Sequence, residues 1–476
     1  MTSMRGARLA MREFTEMTCV RGARFATGLA FLLSFAFALP TARAQAIPEP
    51  AALPQQLSLD QALALMRTRG LDVLIAEAQV HSAEGDVSVA GAVPNPSVAL
   101  TYGRVFTYSP NGGGAGSSCP ASDAFCDLNQ YAAQISDQAA IEDSVSGKRD
   151  LRLRVARAAL SAAALSRDDA LRNLEFQVKA AYLQLAQAQR AYTFAQQALA
   201  TNVRTLQLFQ ARLRSGAINE GDLARVQTQK LEADQAVDSA AEGVHQARFA
   251  LAFLLGARGP VPEFAADDKV LDFSVPSALT TPTLDRLLRT AFDHRPDLLA
   301  LGYQRESAEA AIALARRQRL PDIAVTLGYT QTGTGGQGTN APLQPPTATI
   351  TLSAPIPLFY QQQGEIRKAE ANRDAQALTH AKTTAQVVSD VSAALSAFDT
   401  SRAMVERMER GGLLASARTA RDITRTQYER GATTLMDFLD AQRTYIATNV
   451  EYFQDLTNYW TAVSQLEQAV GMELHR

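Results

Sequence analysis

Histidine is scarce in this sequence. Five occur in 476 residues (His81, His245, His294, His380 and His475), too scattered to supply a zinc-ligand spacing or a base beside a nucleophile. No catalytic residue, cofactor-binding motif or metal site is expected, and the chain does not read as an enzyme. Neither sign of charge is in excess. Lys and Arg number 46 against 48 Asp and Glu, a formal net charge of −2, which leaves no concentrated basic face for nucleic acid. At 20% charged and 46% hydrophobic, the chain is too polar for a polytopic helical membrane protein and too apolar for a disordered one.

Long hydrophobic runs are missing too. No stretch beyond the N-terminus approaches the roughly 18 apolar residues of a membrane helix, so any passage into a bilayer must be as a β-barrel. At the N-terminus, Arg21 and Arg24 precede an apolar run from Phe25 to Leu39, followed by Pro40 and the small-x-small site Ala42-Arg43-Ala44. That order reads as a secretory signal peptide over residues 1–44, with Met1, Met11 and Met17 as candidate starts. Removing it takes six Arg and two Glu, leaving 40 basic against 46 acidic residues and a net charge of −6. Cysteine is limited to three. Cys19 lies upstream of the apolar run and away from the cleavage point. Cys119 and Cys126 sit alone in a loop and read as a disulfide in an oxidising compartment, a better fit than a two-thiol metal site.

What is present is a tandem duplication. Leu59-Asp60-Gln61-Ala62-Leu63 returns as Leu284-Asp285-Arg286-Leu287-Leu288, an offset of 225 that also carries Asp72 onto Asp297 and Pro96 onto Pro321. Further on, Gly216 with Asp222-Leu223 returns as Gly431 with Asp437-Phe438. This offset of 215 also carries Gln227 onto Gln442 and Gly256 onto Gly471. After an N-terminal extension (45–56), the copies span about 57–256 and 283–476, joined by a Pro-containing linker, 257–282.

Each copy reads as helix, strand, loop, strand, very long helix, tight turn, helix. Residues 148–215 contain neither Gly nor Pro, which allows roughly 100 Å of helix. The second copy offers 365–430, weakened by Gly411-Gly412 at roughly 2 kcal/mol against alanine. The other helices, 59–90, 222–255, 284–318 and 437–470, are half as long, so two laid end to end match one long helix. Strands are expected at about 97–107 and 130–142, and at about 322–332 and 347–359. In the second pair Ile323, Val325, Leu327 and Tyr329, then Ala348, Ile350, Leu352, Ala354, Ile356 and Leu358, alternate with small or polar residues. An ordinary half-buried sheet explains any one segment. Four of them beside Gly-rich loops in an exported helical chain favour outer-membrane barrel strands. Four strands cannot close a barrel alone, and an open edge cannot face lipid, so a homo-oligomer is expected; three chains give twelve strands.

These residues resemble the TolC-like outer-membrane efflux channels over essentially the whole exported chain. The carriers are Pro94-Asn95-Pro96 and Pro355-Ile356-Pro357-Leu358-Phe359 before Gly364. The tip motifs are Arg214-Ser215-Gly216 with Asp222-Leu223, and Arg430-Gly431 with Asp437-Phe438-Leu439-Asp440-Ala441-Gln442. The terminal Leu466-Glu467 with Gly471 completes them. The wording after Pro357 is most similar to the heavy-metal-efflux branch. The resemblance implies a mainly α fold with a membrane β-barrel, in which a homotrimer builds a twelve-stranded barrel in the outer membrane of a Gram-negative bacterium and a helical tunnel through the periplasm. It implies a passive exit duct for heavy-metal cations or drugs. The partners implied are outer-membrane lipid, a periplasmic adaptor and an inner-membrane pump, taken as proton-driven, with no nucleic acid. The tips that meet the adaptor are Gly216, Ala217, Gly431 and Ala432. The family's acidic constriction maps onto Asp437 and Asp440, and its latch tyrosine and acidic partner onto Tyr428 and Asp222. An arginine of that latch is replaced here by Thr433.

The same residues have plainer readings. Asp437 and Asp440 share a helical face near a helix start, where carboxylates also serve as caps or dipole partners. Tyr428 also suits simple packing. The run Gly333 to Gly338 has dinucleotide-motif spacing, but no helix follows it and it reads as an external loop. The alternative function is a non-channel periplasmic adaptor or structural coiled coil. Such a protein needs one hairpin and flanking β domains, whereas this chain has two hairpins and little other β.

Overall fold

The computed structural model describes residues 53–104, 129–216, 218–332 and 346–474. The signal peptide, Cys119 and Cys126, the Gly333–Gly338 run and Ala217 lie outside the described residues. The first half runs β1 (Gln56–Leu57), α1 (Leu59–Arg69), α2 (Leu71–Gly91), β2 (Ser97–Arg104), β3 (Asn129–Ser136), α3 (Ala140–Val145), α4 (Lys148–Arg214) and α5 (Glu220–Leu254). A connecting stretch holds β4 (Ala265–Ala266). The second half runs α6 (Leu284–His294), α7 (Pro296–Arg317), β5 (Ala324–Thr332), β6 (Thr347–Ser353), α8 (Gln363–Glu409), α9 (Leu413–Glu429) and α10 (Leu435–Val470).

The Gly- and Pro-free stretch forms one uninterrupted helix of 67 residues, α4. It packs against α2, α5, α7 and α10, so the two copies share one long central element. Of the half-length helices, α5 and α10 are continuous, and those expected over 59–90 and 284–318 each carry a break. Gly70, at ψ 125°, separates α1 from α2. Arg295, held extended by the following Pro296, separates α6 from α7. The long helix expected over 365–430 is also two helices. Gly412 adopts φ 73°, a left-handed backbone that ends α8 before α9 begins.

The strands are shorter than the alternation suggested. β3, expected to reach 142, stops at Ser136 because Asp137 turns the chain. Its carboxylate accepts from the backbone N–H groups of Val325 at 2.8 Å and Ala139 at 3.1 Å, and helix α3 follows. β6, expected to reach 359, stops at Ser353, since Pro355 and Pro357 have no N–H for a ladder. The four strands form an antiparallel sheet in the order β2-β3-β5-β6. Tyr102 faces Tyr131, Ile135 faces Leu327, and Leu327 faces Ile350, so the apolar residues of all four strands share one side. Among the described residues nothing covers that side: Leu100 is 67% exposed, Ile350 76% and Leu352 70%. The opposite side carries Ala132, Thr326, Thr330, Thr349 and Thr351. Among the described residues the outer edges of β2 and β6 are unpaired.

Two apolar cores lie among the helices, one per copy. The first gathers Leu57, Met66, Tyr182, Leu185, Leu251 and Leu271, and the second Val387, Val391, Phe398, Leu456, Tyr459 and Leu466. Trp460 touches both. Each fully buried Leu or Val side chain stabilises by about 1.5–3 kcal/mol. The two buried tyrosines also tie down the connecting segments, Tyr182 donating to the Leu57 carbonyl at 2.7 Å and Tyr459 to that of Ser274 at 2.8 Å. Polar contacts join the copies: Lys179 pairs with Glu467 at 2.7 Å, both buried. Arg295 pairs with Asp297 at 2.7 Å and Asp390 at 3.1 Å, and donates to the Ala469 carbonyl.

Candidate functional site at the helical tips

Both long hairpins turn through a glycine whose positive φ a side chain would strain, Gly216 at 70° and Gly431 at 74°. At the second tip the N–H of Gly431 bonds to the Tyr428 carbonyl at 3.0 Å and that of Ala432 to the Gln427 carbonyl at 2.8 Å. These contacts satisfy carbonyls that the helix end would otherwise leave open. Gly216, Gly431 and Ala432 are all exposed. The return helices start on side-chain caps. Asn219 accepts from the Asp222 N–H at 2.8 Å, and Thr434 forms a reciprocal capping box with Asp437.

That box assigns Asp437 a local task. Its carboxylate accepts from the hydroxyls of Thr434 at 2.6 Å and Thr433 at 2.8 Å, and from the Thr434 N–H at 3.1 Å. These bonds, the Thr434 hydroxyl first, hold its pKa below the ordinary carboxylate value of 3.8. Asp440, one turn on, is exposed and has no ion pair or hydrogen bond among the described residues. The two carboxylates thus share a face but differ in engagement. Asp222 lies 3.6 Å from Arg225.

Tyr428 is an aromatic packing residue in this chain. Its ring runs parallel to that of Phe209, 7° between planes and 5.7 Å between centroids, and to that of Phe438, 12° and 5.9 Å. The Arg212 guanidinium stands 5.5 Å from its centre. Phe209, Val226, Leu435, Phe438 and Leu439 form a small third core here, separate from the other two. Within the chain Tyr428 and Asp222 are not hydrogen-bonded to each other, so a single protomer does not assemble that pair. Behind the rings lies a cleft of 340 Å³ between α4 and α9, lined by Phe194, Thr201, Arg421, Arg425 and Tyr445 among others. Just above it, the buried Gln442 amide donates to Asn202 at 2.6 Å and ties α10 to α4.

Sequence reasoning missed Phe209 and Asn202. Neither falls in a repeated motif; an aromatic five residues before the tip arginine was the one available signal for Phe209. Among the described residues no group of three or more His, Cys, Asp or Glu is arranged to hold a metal ion.

The family profile described as Outer membrane efflux protein matches residues 62–257 and 287–472, one match per copy. The chain is 22% identical over 396 residues to the cobalt-zinc-cadmium resistance protein CzcC of Cupriavidus metallidurans, covering 83% of this chain and 85% of that one. Among solved structures it resembles CusC, with a TM-score of 0.66 at 18% identity over 90% of this chain and 97% of that chain. The outer membrane protein VceC of Vibrio cholerae gives a TM-score of 0.66 at 19% identity, covering 87% and 96%. At these identities the structural matches speak for the fold.

Proposed function

We propose, from the premise that this chain belongs to the outer membrane efflux protein family, that it is the passive exit duct of a three-part export machine. It is an outer-membrane efflux channel; the assembly, gate and cargo are the further steps. The observation that carries the reading is the four-stranded sheet, apolar on one exposed side, small and polar on the other, and unpaired at both edges. An exposed apolar face of that kind is stable only against lipid, and unpaired edges in lipid demand strands from other copies. Three chains supply twelve strands, so a homotrimer closes the barrel. The helices then line a periplasmic tunnel whose tips, at Gly216, Ala217, Gly431 and Ala432, meet an adaptor joined to a proton-driven inner-membrane pump.

Asp440 is the carboxylate best placed to line the tunnel mouth, because Asp437 is engaged in capping. Three copies of Asp440 form an acidic ring that favours cations, with Asp437 adding to the field from the same face. The likeness to CzcC supports heavy-metal cations as cargo, and drugs are the second candidate. Mass measurement in detergent together with planar-bilayer recording tests the assembly. A trimer that conducts supports it, and a stable monomer or dimer as the main species refutes it. A deletion strain tested against a panel of metal ions and drugs identifies the cargo.

A further inference from the structure

We infer that the stacked rings of Phe209, Tyr428 and Phe438 form a clasp that holds the second tip against the first copy, with Arg410–Gly412 as the pivot it works against. On this inference, which rests on the channel reading above, Phe209 and Phe438 are positioning residues for the gate.

Three observations lead here. First, α9 is held to the rest of the chain almost entirely by α10. It buries none of its own residues, and the 340 Å³ cleft separates it from α4 along much of its length. Its ring contact with α4 comes at its last turn, where Tyr428 meets Phe209. Second, the opposite end of α9 is a break. Gly412 is left-handed, and a Cβ on Gly411 would lie 2.4 Å from the Arg407 carbonyl oxygen. At the 215 offset the first copy has Gln196 and Gln197 there, inside the unbroken α4. The first copy's long helix is therefore a continuous strut. In the second copy α9 is a segment set off from α8 by a break at one end and fastened by rings at the other, beside the unbroken α10. Third, the clasp is mechanically joined to the gate. Phe438 lies between Asp437 and Asp440 on the first turns of α10. Phe438 stacks on Tyr428, so a displacement that parts the tip from Phe209 and carries both rings with it shifts Asp440 as well.

The chemistry of the contact gives it a distinctive signature. Parallel rings attract through their faces, so Tyr428 needs its ring here and not its hydroxyl. A latch between Tyr428 and Asp222 of neighbouring chains needs the hydroxyl, and the two forecasts separate on one substitution.

The test uses the full-length channel in planar bilayers, with Phe209→Leu, Phe209→Ala, Tyr428→Leu and Tyr428→Phe. Circular dichroism confirms that each variant is folded, and Phe209→Leu retains apolar bulk should Phe209→Ala fail to fold. The clasp requires Phe209→Leu to raise the open fraction on the order of tenfold and Tyr428→Leu at least as far, since one stacked pair is lost in the first and two in the second. Cation selectivity should fall in the opened variants, because Asp440 moves away with the tip although no charge is removed. Tyr428→Phe should remain as closed as wild type. If Tyr428→Phe opens the channel as far as Tyr428→Leu, or Phe209→Leu stays closed, the clasp is refuted and the channel reading stands. If no protein in the series conducts, both are refuted.

Discussion

Replacing Glu467 by alanine would leave the ammonium of Lys179 buried without its counter-charge, and the consequence can be sized. The two side chains are 8% and 6% exposed, and their charged atoms lie 2.7 Å apart, across the junction of α4 and α10. Glu467 also accepts from the Leu474 N–H at 2.9 Å, holding the chain after the last helix. Breaking a buried pair from one side costs about 3–5 kcal/mol. Clefts of 250 and 380 Å³ touch both residues and admit water near the orphaned charge, which favours the lower end. A loss of about 3 kcal/mol carried wholly by the unfolding barrier speeds unfolding about a hundredfold. The Lys179→Met, Glu467→Leu double variant removes both charges and keeps the volume apolar. It should lie close to wild type, short by about 1 kcal/mol for the lost Leu474 bond. The assay is the rate of loss of helical circular dichroism at one fixed temperature, which does not require unfolding to be reversible. If Glu467→Ala unfolds no faster than the double variant, the pair is hydrated and the burial argument fails.

Asp440→Asn should lower cation selectivity and weaken block by divalent ions added from the periplasmic side, and Asp437→Asn should do so less; equal effects in bilayer recordings would mean that capping does not divide their roles. The capping contribution of Asp437 should depend on pH in one direction. A carboxylate whose folded pKa is depressed stabilises fully above its unfolded value of 3.8 and loses that contribution as pH falls through the lower folded value. The difference in thermal stability between wild type and Asp437→Asn should therefore hold from pH 7 to pH 5 and shrink below pH 4; a difference that grows on acidification contradicts the cap. Thiol labelling of the intact, unreduced protein should find neither Cys119 nor Cys126 free, and full reactivity of both would exclude the disulfide.

Much of the helical frame was legible because helix continuity depends on a few residues that sequence displays directly. The absence of Gly and Pro over 148–215 foretold α4, and Gly411-Gly412 marked a weakness that became a full break. The strand faces were legible for a similar reason, since period two is a local property. Strand ends were not. Asp137 stops β3 by accepting from Val325, 188 residues away, and alternation carries no trace of that bond. At the tips, the plainer reading of Asp437 rested on its nearness to a helix start; Thr434 three residues before it is a further local capping signal that the sequence displays. The stack of Phe209 on Tyr428 joins residues 219 positions apart, from different copies, and local spacing does not encode it.

The duplication sharpens what the tips can do. Two copies of one pattern begin with equivalent hairpins, and a tunnel built from equivalent hairpins has no reason to open through one rather than the other. The chain breaks that equivalence twice in the second copy. A left-handed glycine interrupts the long helix, and Asp440 stands where the first copy has Arg225. The break in the helix and the added charge thus fall on the same hairpin. In the proposed gate, a moving acidic ring would change both the width and the field of the passage in one step. The unbroken α4 beside it would keep the turn at Gly216 in place while that step occurs. Were the charge on the rigid hairpin and the pivot on the other, opening would widen the mouth and leave its selectivity to cations unchanged.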